Sequence, residues 1–396
     1  MPIRGVVVDV SDTLLRSNNE LVDGVARFWQ YCNERDIKII VASNHQSSID
    51  RLRQLGYAGA FSSTRNIIGK SKGAPEWVTT PASRLALDLN SMVYIGDHDF
   101  NDAVTAAHAK IPYIRAAWAN PTGKYGISLD SLEQVTRYLD IFMSKEHYWF
   151  WRVDGTDTLG QAFKYRAMVD CRTNDPAQSS IKQAATDVLK GHSRGRREFF
   201  LHHLLTSLFM SGIATSVDYW TTYPGHEQGS QGHDILGAFL RDASKLFADK
   251  YIPLLHRHTE ALSSNQLRRA QKHPELTEQI RTLSLDPAHR RFIAEHHILV
   301  VDDFTTSSNS LAWSRALLLQ AGAREVTSVA VGKYSTACKT LVPRSTVRDF
   351  DPFRPVNLAE TDFFVQENYP PLRIEEINQE LQQSMELYDK NSPWSI

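Results

Sequence analysis

The chain has 396 residues, 42% of them hydrophobic and 22% charged, and its 44 Lys and Arg against 45 Asp and Glu leave a formal net charge of −1. That is the composition of a folded chain long enough for two to three domains of ~150 residues, with no overall pull toward nucleic acid or an acidic membrane surface. No apolar run reaches the ~20 residues of a membrane span, and the opening MPIRGVVVDVSD meets acid too early for a secretory signal. Cys32, Cys171 and Cys338 lie far apart without metal-ligand spacing, so a reducing, cytoplasmic setting is expected in place of a disulfide framework.

GVVVDV, residues 5–10, predicts a buried strand that ends near Asp9 and turns through Ser11, Asp12 and Thr13. Residues 21–35 have helical spacing, with Leu21, Val25, Phe28, Trp29 and Cys32 on one face. IKIIVASN predicts a second strand ending in Ser43 and Asn44, followed by a helix that Ser47 or Ser48 can cap. Residues 75–89 predict a helix interrupted at Pro81. SMVYIGDHDFND predicts a third strand ending in Gly96 and Asp97, with Asp99 and Asp102 just beyond. Strand and helix alternate, which predicts a parallel sheet covered on both faces. Ligands bind such sheets beyond the carboxyl ends of the strands. Asp9 alone would be a strand end before a polar turn, but Asp9, Ser43 and Asp97 are all expected on one rim.

From Gly5 to about Ala117 these residues, in this order, resemble a haloacid dehalogenase-like phosphatase domain. The resemblance implies Asp9 as nucleophile, Thr13 as the threonine of the first motif and Ser43 as the phosphate-binding hydroxyl. It implies Lys72, with Lys70 the less favoured choice, as the motif lysine, and Asp9, Asp97 and Asp102 as ligands of Mg2+. The chemistry asks for these residue types. A carboxylate can attack phosphorus and form an aspartyl-phosphate. The transferring phosphoryl group spreads negative charge that a lysine and a divalent cation neutralise, and Mg2+ prefers oxygen ligands. One position departs from the family, whose phosphatases usually carry a second aspartate two residues after the nucleophile as general acid and base. Here that place is Ser11, with Asp12 one residue further on. General acid–base help contributes ~10² to 10⁴ in rate, so an active phosphatase, a weakened one and a phosphate-binding domain all stay open. The intervals between Thr13, Ser43 and Gly96 are too short for a cap domain, which implies an open site with the second half of the chain as its candidate lid.

SLDSLEQVTRYLDIFMSK, residues 128–145, predicts the helix that closes a first domain, 1–145. The aromatic HYWFWRV and FKYRAMVDCRT flank a turn and predict a hairpin or seam within 146–190, with 172–180 as the linker candidate. KGHSRGRREFF, residues 190–200, is a basic helix start or a phosphate contact.

The third domain expected, 191–396, contains HHILVVDDFTTSSNSL. Its strand ILVV ends on Asp302 and Asp303. Phe304 to Ser310 predicts a hydroxyl-rich loop, and LAWSRALLLQAGA an amphipathic helix. Backbone N–H groups at such a helix start, with added hydroxyls, suit a phosphate monoester. The stretch resembles the pyrophosphoryl-ribose motif of type I phosphoribosyltransferases. The resemblance implies that Asp302 and Asp303 hold ribose hydroxyls and that Thr306, Ser307, Ser308, Asn309 and Ser310 cradle the 5-phosphate, with Ser308 where a glycine is usual. Upstream, residues 216–240 are similar to the competence-associated ComF type, which places Tyr223, Pro224 and Gly225 at pyrophosphate. Arg257, Arg268, Arg269 and Lys272 are further pyrophosphate candidates or a solvated helix. The tail, 349–396, is a candidate hood over the base.

The fold expected is therefore α/β: a capless Rossmann-like dehalogenase-type sheet followed by a phosphoribosyltransferase α/β domain. The function expected is a bifunctional enzyme with Mg2+ as cofactor. It would take a phosphomonoester, phosphoribosyl-pyrophosphate and a base-like acceptor, and the two steps together would give a nucleoside-like product. Fusions of these families resemble components of bacterial stress or defence clusters. Two other functions stay open, a non-catalytic sensor of phosphoribosyl-pyrophosphate or a nucleotide, and a nucleic-acid end phosphatase, which the neutral charge disfavours. No membrane partner is expected, and a homo-oligomer or an operon-encoded protein partner stays open.

Overall fold

The computed structural model describes residues 2–172, 176–191, 196–262, 276–367, 369, 371–374 and 376–389. Two sheets organise them. The first holds β1 (Gly5–Asp9), β2 (Lys38–Ala42), β3 (Phe61–Ser63), β4 (Met92–Gly96), β5 (Tyr113–Ala116) and β6 (Ile127–Leu129), in the order β3-β2-β1-β4-β5-β6. Every pairing in it is parallel. Val6, Val7, Val8, Val93, Tyr94 and Ile95 are all buried, as central parallel strands covered on both faces require. The order reverses between β1 and β4, so the crevice of this sheet lies beyond the carboxyl ends of those two strands.

The helix expected over 21–35 spans Val25–Glu34 and buries Val25, Phe28, Trp29 and Cys32. It starts late because Gly24 takes φ 89° and residues 11–21 close a compact loop through bridges at Ser11, Leu15 and Leu21. The helix Gln46–Gln54 begins after His45, and neither Ser47 nor Ser48 caps it. Pro81 does not interrupt the helix Glu76–Arg84. A helical proline frees the carbonyl four residues back, and here Ser63 Oγ donates to that carbonyl, Trp77 O, at 3.2 Å.

The second sheet comprises β7 (Trp151–Thr156), β8 (Ala162–Asp170), β9 (Tyr219–Thr222), β10 (Lys250–Tyr251), β13 (His297–Thr305), β14 (Glu325–Lys333) and β17 (Leu372–Arg373), ordered β10-β9-β13-β14-β8-β7-β17. Between them in the chain, β11 (Leu255–Arg257) pairs with β12 (Leu283–Leu285), and β15 (Thr340–Pro343) with β16 (Phe363–Gln366). The run from β10 to β8 is parallel. The hairpin expected from the aromatic stretch is β7–β8, and β8 adds it to β14. Of the linker candidate 172–180, residues 173–175 lie outside the described residues, and from Pro176 the chain is a helix that runs to Leu189, starting on the one residue type whose missing N–H costs nothing there. The basic run 190–200 falls partly outside the described residues, and its end merges into the helix Arg197–Met210, whose residues from Phe199 on are all buried.

The helix Asn309–Gln320, expected to be amphipathic, is buried throughout Leu311–Leu318. Arg315 remains inside because its Nη2 pairs with Asp157 at 2.8 Å. The terminal helix Ile377–Asp389 belongs to the tail expected as a hood, and it sits at the carboxyl end of β8. Asn378 accepts from Asp170 N at 3.1 Å and donates to Asp170 O at 3.0 Å, which pins that helix to the end of β8.

One hydrophobic core runs through both sheets. Polar contacts between the two halves include Thr215 to Asn90 at 3.0 Å, Lys110 to Asp249 at 3.1 Å and Tyr138 to His202 at 3.1 Å. Asn90 and Lys110 precede β4 and β5. The second half thus packs at the amino-terminal end of the first sheet, and the expectation that it forms a lid over the carboxyl-end rim is corrected. No helix among the described residues is long and apolar enough to cross a membrane.

Candidate functional site

At the carboxyl ends of β1 and β4, one carboxylate oxygen from each of Asp9, Asp97 and Asp102 lies within 4.8 Å of the others. Asp9 closes β1, and Asp97 follows β4 directly. Asp102 returns to the strand end through a tight turn, accepting from Tyr94 OH at 2.9 Å and His98 N at 3.2 Å. This return demands Gly96, because a Cβ there would stand 2.5 Å from Asp102 Oδ2.

Lys72 Nζ donates to Asp9 Oδ1, and to Asp102 Oδ1 at 2.8 Å. Lys70 instead pairs with Glu76 at the surface. The Lys72 loop is fixed from the helix behind it: Gly73 N donates to Thr105 Oγ1 at 2.7 Å, and His108 Nδ1 lies 2.7 Å from Gly73 O. Ser43 follows β2, buried, with its Oγ accepting from His45 N at 3.2 Å. Thr13 is buried, and its Oγ1 has no hydrogen-bond partner among the described residues. Ser11 is half-buried, and Asp12 is exposed with a left-handed backbone, φ 57°.

Three carboxylates face one lysine. Burial above all pushes Asp9 up to about 8, with Lys72 opposing and Asp102 adding to the rise. Burial, then repulsion from Asp102 and Asp12, pushes Asp97 up to about 6. Lys72 is held above its ordinary range: burial opposes its charge, but Asp9 and Asp102 outweigh burial. An oxygen-only donor set, with Asp9 and Asp102 buried and Asp97 half-buried, and with surplus negative charge, fits a hard divalent cation.

In the second sheet, Asp302 and Asp303 lie within β13, whose pairing with β14 continues through Phe304↔Gly332 and Thr305↔Lys333. The loop is therefore only Thr306–Ser308, and Asn309 and Ser310 open the helix. Asp302 Oδ2 accepts from Ser310 Oγ at 2.6 Å, and burial followed by the charge of Asp303 pushes Asp302 up to about 7. Asp303 accepts from Lys190 and lies 3.6 Å from His233 Nε2, contacts that outweigh burial and hold its carboxyl below the usual range. Ser308 takes φ 64°, and its Oγ accepts from Lys333 Nζ at 2.9 Å. Thr306 is exposed, its carbonyl accepting from Lys333 Nζ at 3.0 Å, and Ser307 is half-buried.

Tyr223 is buried and donates to Gln279 at 2.6 Å, Pro224 is buried, and Gly225 N donates to Ser230 Oγ at 2.9 Å. Arg257 is corrected from a pyrophosphate candidate. It is fully buried, and its guanidinium is used on Gly225 O, Thr282 Oγ1 and Gln279 Oε1. Arg268, Arg269 and Lys272 lie outside the described residues. Beside this region a cleft of about 1340 Å3 is lined by Lys190, Arg197, His226, His233 and Arg241 around the glycine-rich segment 225–232.

No family model and no curated protein matches the chain. Solved structures do. An uncharacterized protein from Listeria monocytogenes serotype 4b is 17% identical over 35% of this chain and 98% of its own, with a TM-score of 0.31. A HAD-superfamily hydrolase, subfamily IA, variant 1, from Geobacter sulfurreducens PCA is 14% identical over 34% and 97%, with a TM-score of 0.29. The cobalt-bound deoxy-D-mannose-octulosonate 8-phosphate phosphatase from Haemophilus influenzae is 18% identical over 35% and 87%, with a TM-score of 0.28.

Several residues of these sites carry no sequence signal. Tyr94 sits in mid-strand and meets Asp102 only because the turn after β4 brings Asp102 back to that strand. Asn120 Nδ2 donates to Asp97 O at 2.8 Å from a different loop. Lys190 and His233 meet Asp303 from positions 113 and 70 residues away. The glycine before Asp97 was the one available hint, since it marks a close approach.

Proposed function

We propose that the first half of the chain is a phosphohydrolase of the haloacid dehalogenase type, acting on phosphomonoesters with magnesium. The observation that carries this is the convergence of Asp9, Asp97, Asp102 and Lys72 at the carboxyl ends of adjacent parallel strands. Asp9, Asp97 and Asp102 would hold the cation, which supplies charge neutralisation at the phosphoryl oxygens. Asp9 attacks phosphorus, the bond to the leaving oxygen breaks, and an aspartyl-phosphate, the acyl phosphate of Asp9, results. Lys72 neutralises the equatorial oxygens, and Ser43 donates to one of them. Water then attacks phosphorus, releasing phosphate and restoring Asp9. Asp12 gives its proton to the leaving oxygen and takes one from the water. The test is magnesium-dependent release of phosphate from p-nitrophenyl phosphate by the full chain. Asp9→Asn abolishes it, and turnover that survives this change overturns the assignment.

For the second half we propose a phosphoribosyl-pyrophosphate site, supported by the acidic pair Asp302–Asp303 in a strand, the three-residue loop, the following helix start and the adjoining cleft, where Lys190, Arg197 and Arg241 stand among Glu227, Asp234 and Glu260. Transfer to a base-like acceptor would follow, and the first site would remove the phosphate. Calorimetry with phosphoribosyl-pyrophosphate and magnesium detects binding that Asp303→Asn weakens. Binding without turnover across a panel of bases favours a sensor.

A further inference from the structure

Three loops crown the carboxyl ends of the first sheet, and they are fastened to one another. Trp118 Nε1 donates to Thr13 O at 3.3 Å, Asn120 Nδ2 to Asp97 O at 2.8 Å, and Lys124 N to Asp99 Oδ2 at 3.0 Å. Arg115, at the end of β5, holds the third loop down through Gly123 O. The rim is thus a fixed surface. Two large rings stand on it. Phe100 is 78% exposed, the most exposed large hydrophobic residue among those described, and Tyr125 is 47% exposed. Each is the next residue after one partner of the Asp99–Lys124 bond, so the join between the loops sets their backbones side by side. The Phe100 backbone is also held locally, its N–H donating to His98 Nδ1 at 3.2 Å.

A single exposed aromatic needs no explanation. Two of them, on two joined loops, one lying between Asp97 and Asp102 in the chain, stand on the same rim as the carboxylate cluster. Among the described residues, the second half of the chain packs at the opposite end of the sheet. We propose that this rim selects phosphomonoesters whose alcohol carries a planar aromatic ring, nucleoside monophosphates as a class, with Phe100 and Tyr125 as the stacking surface. The proposal rests on the phosphohydrolase reading of the carboxylate cluster. Stacking suits the position because every base presents a π-face, so the ring can be held without fixing which base it is.

The test compares kcat/KM of the full chain with magnesium on adenosine 5'-monophosphate and on glycerol 3-phosphate, which carry the same reacting group. The expected result is a ~5- to 100-fold preference for the nucleotide, residing in KM. Phe100→Ala moves the nucleotide value down toward that of glycerol 3-phosphate, Tyr125→Ala acts in the same direction, and Phe100→Trp restores the preference. Equal use of the two esters by the wild type overturns the rim assignment alone, as does an equal loss on both esters in Phe100→Ala. Failure of the wild type on these esters and on p-nitrophenyl phosphate overturns the phosphohydrolase reading and this proposal with it.

Discussion

Asp12 occupies a backbone conformation that most side chains avoid, φ 57°, and holds an exposed carboxylate in the loop after Asp9. Aspartate and asparagine tolerate that region better than other residues with a Cβ. Ser11 cannot exchange a proton near neutral pH, whereas Asp12 lies close enough for its charge to act on Asp97. A group that protonates a leaving oxygen matters only where that oxygen leaves poorly. Asp12→Asn should therefore cost ~10² to 10⁴ in kcat/KM on an alkyl phosphate and far less on 2,4-dinitrophenyl phosphate. Steady-state kcat/KM, which stops at formation of the aspartyl-phosphate, checks this on the two esters, and equal losses in it would deny Asp12 the role of acid to the leaving oxygen. Asp9 and Asp97 were legible in the sequence as polar strand ends, and Lys72 and Asp102, which meet them, through the family resemblance. Arg257 was misread because a basic residue in a polar stretch looks solvated until its burial on Gly225, Thr282 and Gln279 is seen.

Elements followed the hydrophobic pattern wherever one face was buried, and departed from it where polar residues found partners inside. Pro81 did not break its helix because Ser63 takes the freed carbonyl. Ser314 and Arg315 gave the helix Asn309–Gln320 an amphipathic signature although both are buried, one on Leu311 O at 3.0 Å and the other on Asp157. The loop before that helix combines two opposed effects. Ser308 carries left-handed strain that glycine would relieve, worth ~1 to 2 kcal/mol. Its hydroxyl also donates to Ala337 O at 3.2 Å and accepts from buried Lys333, which burial pushes down to about 7. Removing that acceptor leaves Lys333 with Thr306 O, at a cost of ~1 to 3 kcal/mol, while glycine also widens the unfolded ensemble. Ser308→Gly should be destabilising by ~1 kcal/mol, the difference of these effects. Urea unfolding midpoints measure it, and a stabilised variant would mean that strain outweighs the Lys333 contact.

The relation of the two sheets was illegible because nothing in a linear pattern says which end of a sheet a neighbouring unit will cover. Here the contact is made before β4 and β5, and its main charged pair is Lys110 with Asp249. The Asp249 side chain is only 5% exposed and also accepts from Trp220 Nε1 at 3.1 Å, while Lys110 is 35% exposed. Burial outweighs the lysine, so Asp249 is raised from 3.8 to about 6. An acid with a raised folded pKa binds its proton more tightly folded than unfolded. Its contribution to stability is fully present below pH 4 and is lost as pH rises through 6, a span worth up to ~3 kcal/mol. Asp249→Asn keeps an acceptor for Trp220 and removes the titration. The variant should therefore lose less stability than the wild type between pH 4 and 6, and above pH 7 it should match or exceed it despite losing an ion pair. Unfolding free energies in urea at a series of pH values from 4 to 8 test this through the difference between the two proteins. A difference independent of pH would mean that Asp249 ionises as freely in the folded chain as in the unfolded one, and that Lys110 fully compensates its burial. Because a shared core runs through both sheets, this one difference reports on their junction.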